Sequence, residues 1–316
     1  MKIVVLDGAT LGEDLSLSPL SSVGEVTVYK TSTAEEVIER IGDADVVVIN
    51  KIKMNDTNLD YAKKLKLICL AATGYDNVDL DACRRRGIGV ANVVGYSTHS
   101  VSQVALSLAL SLYTHIPEYS TYVKNGSYTK SGVANCLTPV YHELCGKTWG
   151  VVGLGNIGRQ VARCARVMGC RVLAYKRTPD EEFECVSLEK LCRESDIISL
   201  HLPLSDSTRG IIDEEHIALM KRDAVLINVA RGAVTDEEAV ARAIEENRIG
   251  AFGTDVYSTE PFSENHPFCR ILDKDNVLFT PHMAWGAYEA RERCLSEIVK
   301  NIEAFKEGKE RNRVDK

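Results

Sequence analysis

The chain has 316 residues, a length that usually divides into about two domains, and its apolar fraction of 45% is ordinary for a globular protein. A net charge of −7 argues against a nucleic-acid binder, which normally carries a basic balance or a basic face. No apolar run approaches the roughly 20 residues a membrane span needs, and the start "MKIVVLDGA" reads as a strand rather than a signal peptide, so no membrane association and a cytoplasmic location are expected. The ten cysteines form no C-x-x-C pair and fit reduced thiols. His99, His115, His142 and His216 show no metal-ligand spacing, and no metal is expected.

In chain order, "KIVVLDG" and "EVTVYK" read as strands. "TAEEVIERIG" reads as a helix, with Thr33 and Glu36 at capping-box spacing and Gly42 as its stop. Then come the strand "ADVVVIN", a helix near "NLDYAKKL", the strand "LKLICLAA", the helix "DLDACRRRG" and the strand "IGVANV". Continuous apolar strands of this kind suit a parallel sheet covered on both faces. A helix from about Ser100 to Thr114 is apolar nearly all round, as a buried linking or interface helix is. The turn-rich stretch "KNGSYTKSGVANCLTP" is expected to be a loop or an arm.

A second alternating series opens at "KTWGVVGLG". Its later strands are "CRVLAYK", "DIISLHLP", "AVLINVA", "AFGTDV" and "NVLFTP". Its helices include "NIGRQVARCARVMG", "SLEKLCRE" and "DEEAVARAIEEN". A long amphipathic helix from about Ala287 to Gly308 closes the chain. The fold class is therefore α/β, with two doubly wound parallel-sheet domains.

Gly153-Leu-Gly155-Asn156-Ile157-Gly158 is G-x-G-x-x-G. Alone the pattern is weak, but here it follows a strand and opens a helix. Gly153 permits a tight turn, Gly155 lets backbone approach a pyrophosphate, and Gly158 lets helix pack on strand. The pyrophosphate then sits on the helix N-terminus, whose N–H groups and dipole favour anions. A tight turn with no ligand is the competing reading.

From these residues on, the chain resembles the D-isomer-specific 2-hydroxyacid dehydrogenases. The stretches that carry the resemblance are "ATGYDNVDLDACRRRGIGVAN", "GKTWGVVGLGNIGRQVA", "LHLPLSDSTRGIID", "LINVARGAVTDEEA", "GTDVYSTEPF" and "TPHMAWGAYEARER". In this order they span nearly the whole chain. "GYSTHSVSQ" and "PHMAWGAYEAR" look most like the glycerate dehydrogenase (hydroxypyruvate reductase) branch. The resemblance implies a flavodoxin-like substrate domain, residues 1–98 plus 287–316, and an inserted Rossmann nucleotide-binding domain, residues 99–286. It also implies a cleft between them for nicotinamide and substrate, and a homodimer built on the nucleotide domain.

The implied activity is reduction of a small 2-keto acid, hydroxypyruvate or glyoxylate first, with pyruvate or a branched-chain keto acid as alternatives. By the resemblance Arg231 in "NVARG" holds carboxylate and ketone, a task its planar charged fork suits. His282 in "TPHMAW" matches the acid/base and Glu260 in "STEPF" its partner, since a nearby carboxylate favours imidazolium and orients the ring. By residue type alone these three could equally be a surface arginine, a satisfied loop histidine and a solvated glutamate. The formate dehydrogenases, which move no proton, have glutamine where Glu260 stands. Thr73 and Gly74 match the loop whose backbone receives the substrate carboxylate, and Trp285 matches an aromatic pocket position, or a packing residue.

For the cofactor, the resemblance adds His201 and Pro203 on the adenine side and Thr208 among the contacts. It also adds Val101 against the nicotinamide ring, Ala230 near it, and Asp255 on the carboxamide. NAD-specific members place an aspartate at the end of the second strand. This chain has Lys176-Arg177-Thr178 there, two cations and a hydroxyl that could bind a 2′-phosphate, so NADP(H) is expected over NAD(H). Asp180, past Pro179, is expected to face away from that corner. A reading from another class is an NAD(P)H-sensing binding protein of the corepressor type, which shares the fold and residue set but usually carries extensions outside the core.

Overall fold

The computed structural model describes residues 1–316 and divides into two compact units, Met1–Ser97 with Trp285–Lys316, and Thr98–Ala284. The first holds five parallel strands: β1 (Lys2–Val5), β2 (Glu25–Val28), β3 (Val46–Ile49), β4 (Leu67–Leu70) and β5 (Gly89–Ala91), in the order β2-β1-β3-β4-β5. That is the flavodoxin-like order. Successive side chains of a strand point to opposite faces. Val46, Val48, Leu67 and Cys69 therefore meet Ala290, Cys294, Ile298 and Ile302 of the C-terminal helix Tyr288–Lys306 on one face. Val47, Ile49, Ile68 and Leu70 meet helices α1 (Ala34–Ile41) and α3 (Leu80–Arg85) on the other.

Local signals hold in detail here. Thr33 Oγ1 accepts from Glu36 N–H while the Glu36 carboxylate accepts from Thr33 N–H, the reciprocal cap expected from their spacing. The helix expected near Asn58–Leu65 is shorter: α2 spans only Asp56–Leu59. Beyond it Tyr61, Ala62 and Leu65 each donate to the residue three back, so the chain runs in tight turns. The buried residues Leu59, Ala62 and Leu65 recur every three positions, which suits that tighter geometry better than an α-helix.

The second unit opens with α4 (Thr98–Tyr113), α5 (Ile116–Lys124) and α6 (Ser127–Ser131). The stretch expected as loop or arm, which begins where α5 ends, thus carries one short helix, α6, and is otherwise irregular. Seven strands follow: β6 (Thr148–Val152), β7 (Arg171–Tyr175), β8 (Glu184–Cys185), β9 (Ile197–Leu200), β10 (Val225–Asn228), β11 (Ala251–Thr254) and β12 (Val277–Phe279). Their order is β12-β11-β10-β9-β6-β7-β8 and every pairing is parallel, the doubly wound Rossmann arrangement. Helices α7 (Asn156–Val167), α8 (Leu188–Glu194), α9 (Glu214–Leu219) and α10 (Glu237–Glu245) provide the crossovers. α4 packs on α7, β10 and β11 through an apolar face, burying Ala105, Leu108, Ala109 and Leu112.

Phe252 of β11 is fully buried, 5.2 Å from the Phe268 ring and 6.3 Å from the Phe279 ring. Phe252→Ala should lower stability by roughly 3–5 kcal/mol through lost burial and the cavity left behind. Urea denaturation followed by far-UV circular dichroism would show it; an unchanged midpoint would mean the aromatic cluster collapses to fill the space.

Candidate functional site

Because all seven strands of the second unit run parallel, their carboxyl ends share one edge of the sheet, where ligands of open α/β sheets bind. Gly153 follows β6, Lys176 follows β7, His201 follows β9, Ala230 and Arg231 follow β10, Asp255 follows β11, and His282 follows β12. The sheet thus brings together residues from six separate stretches of sequence.

The glycine turn lies where the chain reverses its direction of winding, between β6 and β9. Gly153 has φ +97°, and a Cβ on it would stand 2.9 Å from backbone atoms of His201 and Leu202. A Cβ on Gly158 would reach 2.1 Å from the Gly153 carbonyl oxygen. At Gly155 a Cβ would meet nothing of the protein, yet it would project at the N-terminus of α7, which no side chain caps. The Asn156, Ile157 and Gly158 amides open that helix. Such a cradle fits an anionic group lying close to the backbone.

Past β10, buried Asn228 organises the loop. Its Oδ1 accepts from Ala230 N–H at 3.0 Å and its Nδ2 donates to the Arg231 carbonyl at 2.9 Å. This fixes the backbone on both sides of the Arg231 side chain, which is half-buried and donates to the Ala230 carbonyl at 2.8 Å.

Past β11 and β12, two loops are stapled together. Asp255 is buried; its Oδ1 accepts from Thr280 Oγ1 at 2.6 Å and Met283 N–H at 2.9 Å, and its Oδ2 from Ala284 N–H at 2.8 Å. These bonds bracket His282, whose backbone is left-handed at φ 53°. An L-residue is held in that region only when its surroundings over-determine it, and Asp255 supplies that constraint. His282 Nδ1 faces Glu260 Oε2 at 2.5 Å, while Glu260 Oε1 accepts from Tyr257 N–H at 3.0 Å. Tyr257 also donates its hydroxyl to the Thr280 carbonyl at 2.9 Å, and burial pushes its pKa up to about 12, so it stays a donor. The pair is accessible as well as paired, with 22% of the His282 side chain and 29% of the Glu260 side chain exposed.

The corner past β7 departs from expectation. Asp180 does not face away: it turns back and is nearly covered, its carboxylate gripped by Arg159 of α7 at 2.5 Å and by Lys176 at 3.2 Å. The Arg159 guanidinium beside it holds its carboxyl far below the usual carboxylate range. A carboxylate bonded to a planar guanidinium is drawn toward α7, which sequence distance past a proline does not reveal. Lys176 is therefore partly neutralised, while Arg177 and Thr178 are exposed.

His201 Nε2 lies 3.0 Å from Ser199 Oγ, which also accepts from Trp149 Nε1. Although the residue as a whole is half-buried, its Nδ1 is enclosed and without a partner, and burial pulls the ring pKa down to about 3. Thr208 closes its own loop, donating to the Pro203 carbonyl at 2.6 Å and accepting from Ser205 N–H at 2.8 Å. Val101 is buried in α4.

In the other unit, Thr73 and Gly74 follow β4. The Thr73 hydroxyl donates to the Val93 carbonyl at 2.7 Å, and Asn92 Nδ2 donates to the Thr73 carbonyl at 2.7 Å, so this turn is tied to the segment just past β5. Trp285 packs edge-on against Tyr96 at 6.4 Å and lies against that unit's core. Sequence reasoning named neither Asn228 nor Tyr257 as part of the site. The signal for Asn228 was a polar residue ending the apolar strand "AVLIN"; Tyr257 carried none.

The NAD-binding domain model of the D-isomer specific 2-hydroxyacid dehydrogenases matches residues 106–284. The chain is 37% identical to a hydroxypyruvate reductase of Blautia hydrogenotrophica over the full length of both. It is 35% identical to a glycerate dehydrogenase of Methylorubrum extorquens over 99% of each chain. The solved D-lactate dehydrogenase of Aquifex aeolicus, complexed with NAD and lactic acid, superposes with a TM-score of 0.86 at 31% identity, covering 98% of this chain and 96% of that one. The chain belongs to the D-isomer specific 2-hydroxyacid dehydrogenase family, oxidoreductases that act on the CH–OH group of 2-hydroxy acids with a nicotinamide cofactor.

The enclosed His201 ring supplies a pH test. Its folded pKa of about 3 lies below the ordinary 6.5, so between those values the unfolded chain binds the extra proton. That contribution is destabilising and grows as pH falls from 6.5 toward 3. In the cofactor-free protein, His201→Asn should therefore lose less melting temperature than the parent between neutral and mildly acid pH. Parallel melting curves would count against the buried neutral ring.

Proposed function

We propose that this enzyme reduces small 2-keto acids, hydroxypyruvate and glyoxylate before others, prefers NADPH, and works as a homodimer in the cytoplasm. The observation that carries the reaction type is the 2.5 Å contact between Glu260 and His282, on the same sheet edge as Arg231. A carboxylate on Nδ1 leaves Nε2 as the protonated, outward nitrogen of an imidazolium, the form needed to protonate an alkoxide. Arg231 offers a fixed cation for the carboxylate and for the oxyanion that develops on the ketone oxygen. When bound, the nicotinamide supplies the hydride in reduction and receives it in oxidation. The glycine cradle at α7 would hold the cofactor's pyrophosphate, with Ala230 and Asp255 near its nicotinamide end, Val101 against the ring and His201, Pro203 and Thr208 toward the adenine. Thr73 and Gly74 would receive the substrate carboxylate, and Trp285 would line the pocket. The names of the relatives from Blautia and Methylorubrum support this choice of substrate.

The cofactor preference rests on Arg177 and Thr178, exposed past β7 where a ribose-binding acid would otherwise stand, with Lys176 beside them although Asp180 shares its charge. The dimer rests on α5, α6 and the loop after them, where Ile116, Val123, Val133, Leu137, Val140 and Tyr141 are all exposed. Large apolar residues gathered on one segment mark a surface that a second copy would cover. The cytoplasm suits ten unpaired cysteines.

Initial rates with hydroxypyruvate, NADPH and NADH in parallel, test the substrate and cofactor together. Higher kcat/KM with NADPH is expected, and Arg177→Ala should reduce that advantage by roughly tenfold, the worth of one charge-assisted contact. Equal or better rates with NADH would reject the cofactor preference while leaving the reaction. Arg231→Ala and His282→Ala should each remove most turnover yet still bind cofactor by fluorescence titration. Near-normal kcat in both would end the assignment of their roles.

A further inference from the structure

We propose that Glu237, backed by His266, is a positioning residue for the acid/base pair: it anchors the turn from which Glu260 reaches His282. The proposal rests on the reading of Glu260 and His282 given above. Glu237 opens the first turn of α10, where the helix dipole favours a negative charge, and it is buried, only 8% exposed. A buried carboxylate needs partners for both oxygens. Both go to one residue: Oε1 accepts from Ser258 N–H at 2.8 Å, and Oε2 accepts from the Ser258 hydroxyl. Ser258 stands two positions before Glu260.

His266 completes the arrangement. Its Nδ1 accepts from Phe268 N–H at 3.3 Å, which leaves the ring hydrogen on Nε2, pointing at Glu237 Oε2 at 3.0 Å. The Tyr257, Phe262 and Phe268 rings surround it. A Cβ at Gly232 would lie 2.0 Å from the Tyr257 carbonyl carbon and 2.1 Å from Ser258 N. The Tyr257–Ser258 peptide therefore packs on the glycine next to Arg231 and is hydrogen-bonded by the Glu237 carboxylate. One peptide earlier in the same turn, the Tyr257 N–H reaches Glu260 Oε1 at 3.0 Å, and Glu260 Oε2 meets His282. The charges acting on Tyr257 of this turn are Asp255, Glu260 and Glu237; Arg231 stands next to Gly232, and the His266 and His282 rings contact Glu237 and Glu260. A hydrophobic side chain could fill the same volume without desolvating a charge; the carboxylate holds the Ser258 amide and hydroxyl together, which an apolar residue would not.

The test is Glu237→Gln in the full-length enzyme, assayed for hydroxypyruvate reduction from pH 6 to 9.5, with NADPH affinity by fluorescence. A glutamine has only one acceptor oxygen, so its NH2 must face either the Ser258 N–H or the His266 N–H and one of those bonds is lost. Expected are a roughly tenfold fall in kcat at pH 8, the scale of one hydrogen bond to a charged group, with cofactor affinity unchanged. The alkaline limb of kcat/KM should also move to lower pH, because a less well-held Glu260 supports the imidazolium less. A folded variant with the parent limb and parent kcat would overturn the proposal. Should Glu237→Gln not fold, Ser258→Ala, which removes one bond to the same carboxylate, is read by the same shift. His282→Ala and Glu260→Gln serve as controls: if they keep turnover and limb, the acid/base reading itself falls, whereas Glu237→Gln unmoved beside two inactive controls sinks only the positioning role.

Discussion

The parallel hydrogen-bond ladder of the second unit is the constraint on which the site depends. Parallel pairing points every strand in one direction, so each strand can end in a functional loop at the same edge. An antiparallel β10 or β12 would carry Arg231 or His282 to the far edge. Burial on both faces makes this arrangement stable: every residue of β9, β10 and β11 is buried, and most of them are apolar.

Within that edge, rigidity comes from buried polar residues placed one step from the chemistry. Asn228 holds the backbone at Arg231, Asp255 holds that at His282, and Tyr257 ties the Glu260 turn to the Thr280 carbonyl. Each is a short link from a strand end to a loop. Preorganised donors and acceptors need no rearrangement as charge develops, which is how such a site lowers a barrier. Glu237 and His266 extend the same logic one layer outward.

The three glycines of the nucleotide turn and the reciprocal cap on α1 were legible because each depends on local geometry: a positive φ, a close approach, an acceptor three residues away. The strand pattern was legible because apolar runs that bury both faces leave a mark in composition. α2 was misjudged because an apolar spacing of three and one of three-to-four look alike over eight residues. α5 and α6 escaped because their faces are exposed and carry no apolar stripe turned to a core.

The sequence by itself determined the two α/β units, the glycine turn and the residue types able to perform hydride-coupled proton transfer, since these follow from periodicity and side-chain chemistry. Tertiary structure alone decided which groups meet. It turned Asp180 back onto Arg159 and Lys176, left the His201 Nδ1 enclosed, and set Glu237 beneath a turn 21 residues away. The Arg159–Asp180 and Glu237–Ser258 pairings join groups from different crossovers, and their distances are set by how helices pack on the sheet rather than by spacing along the chain.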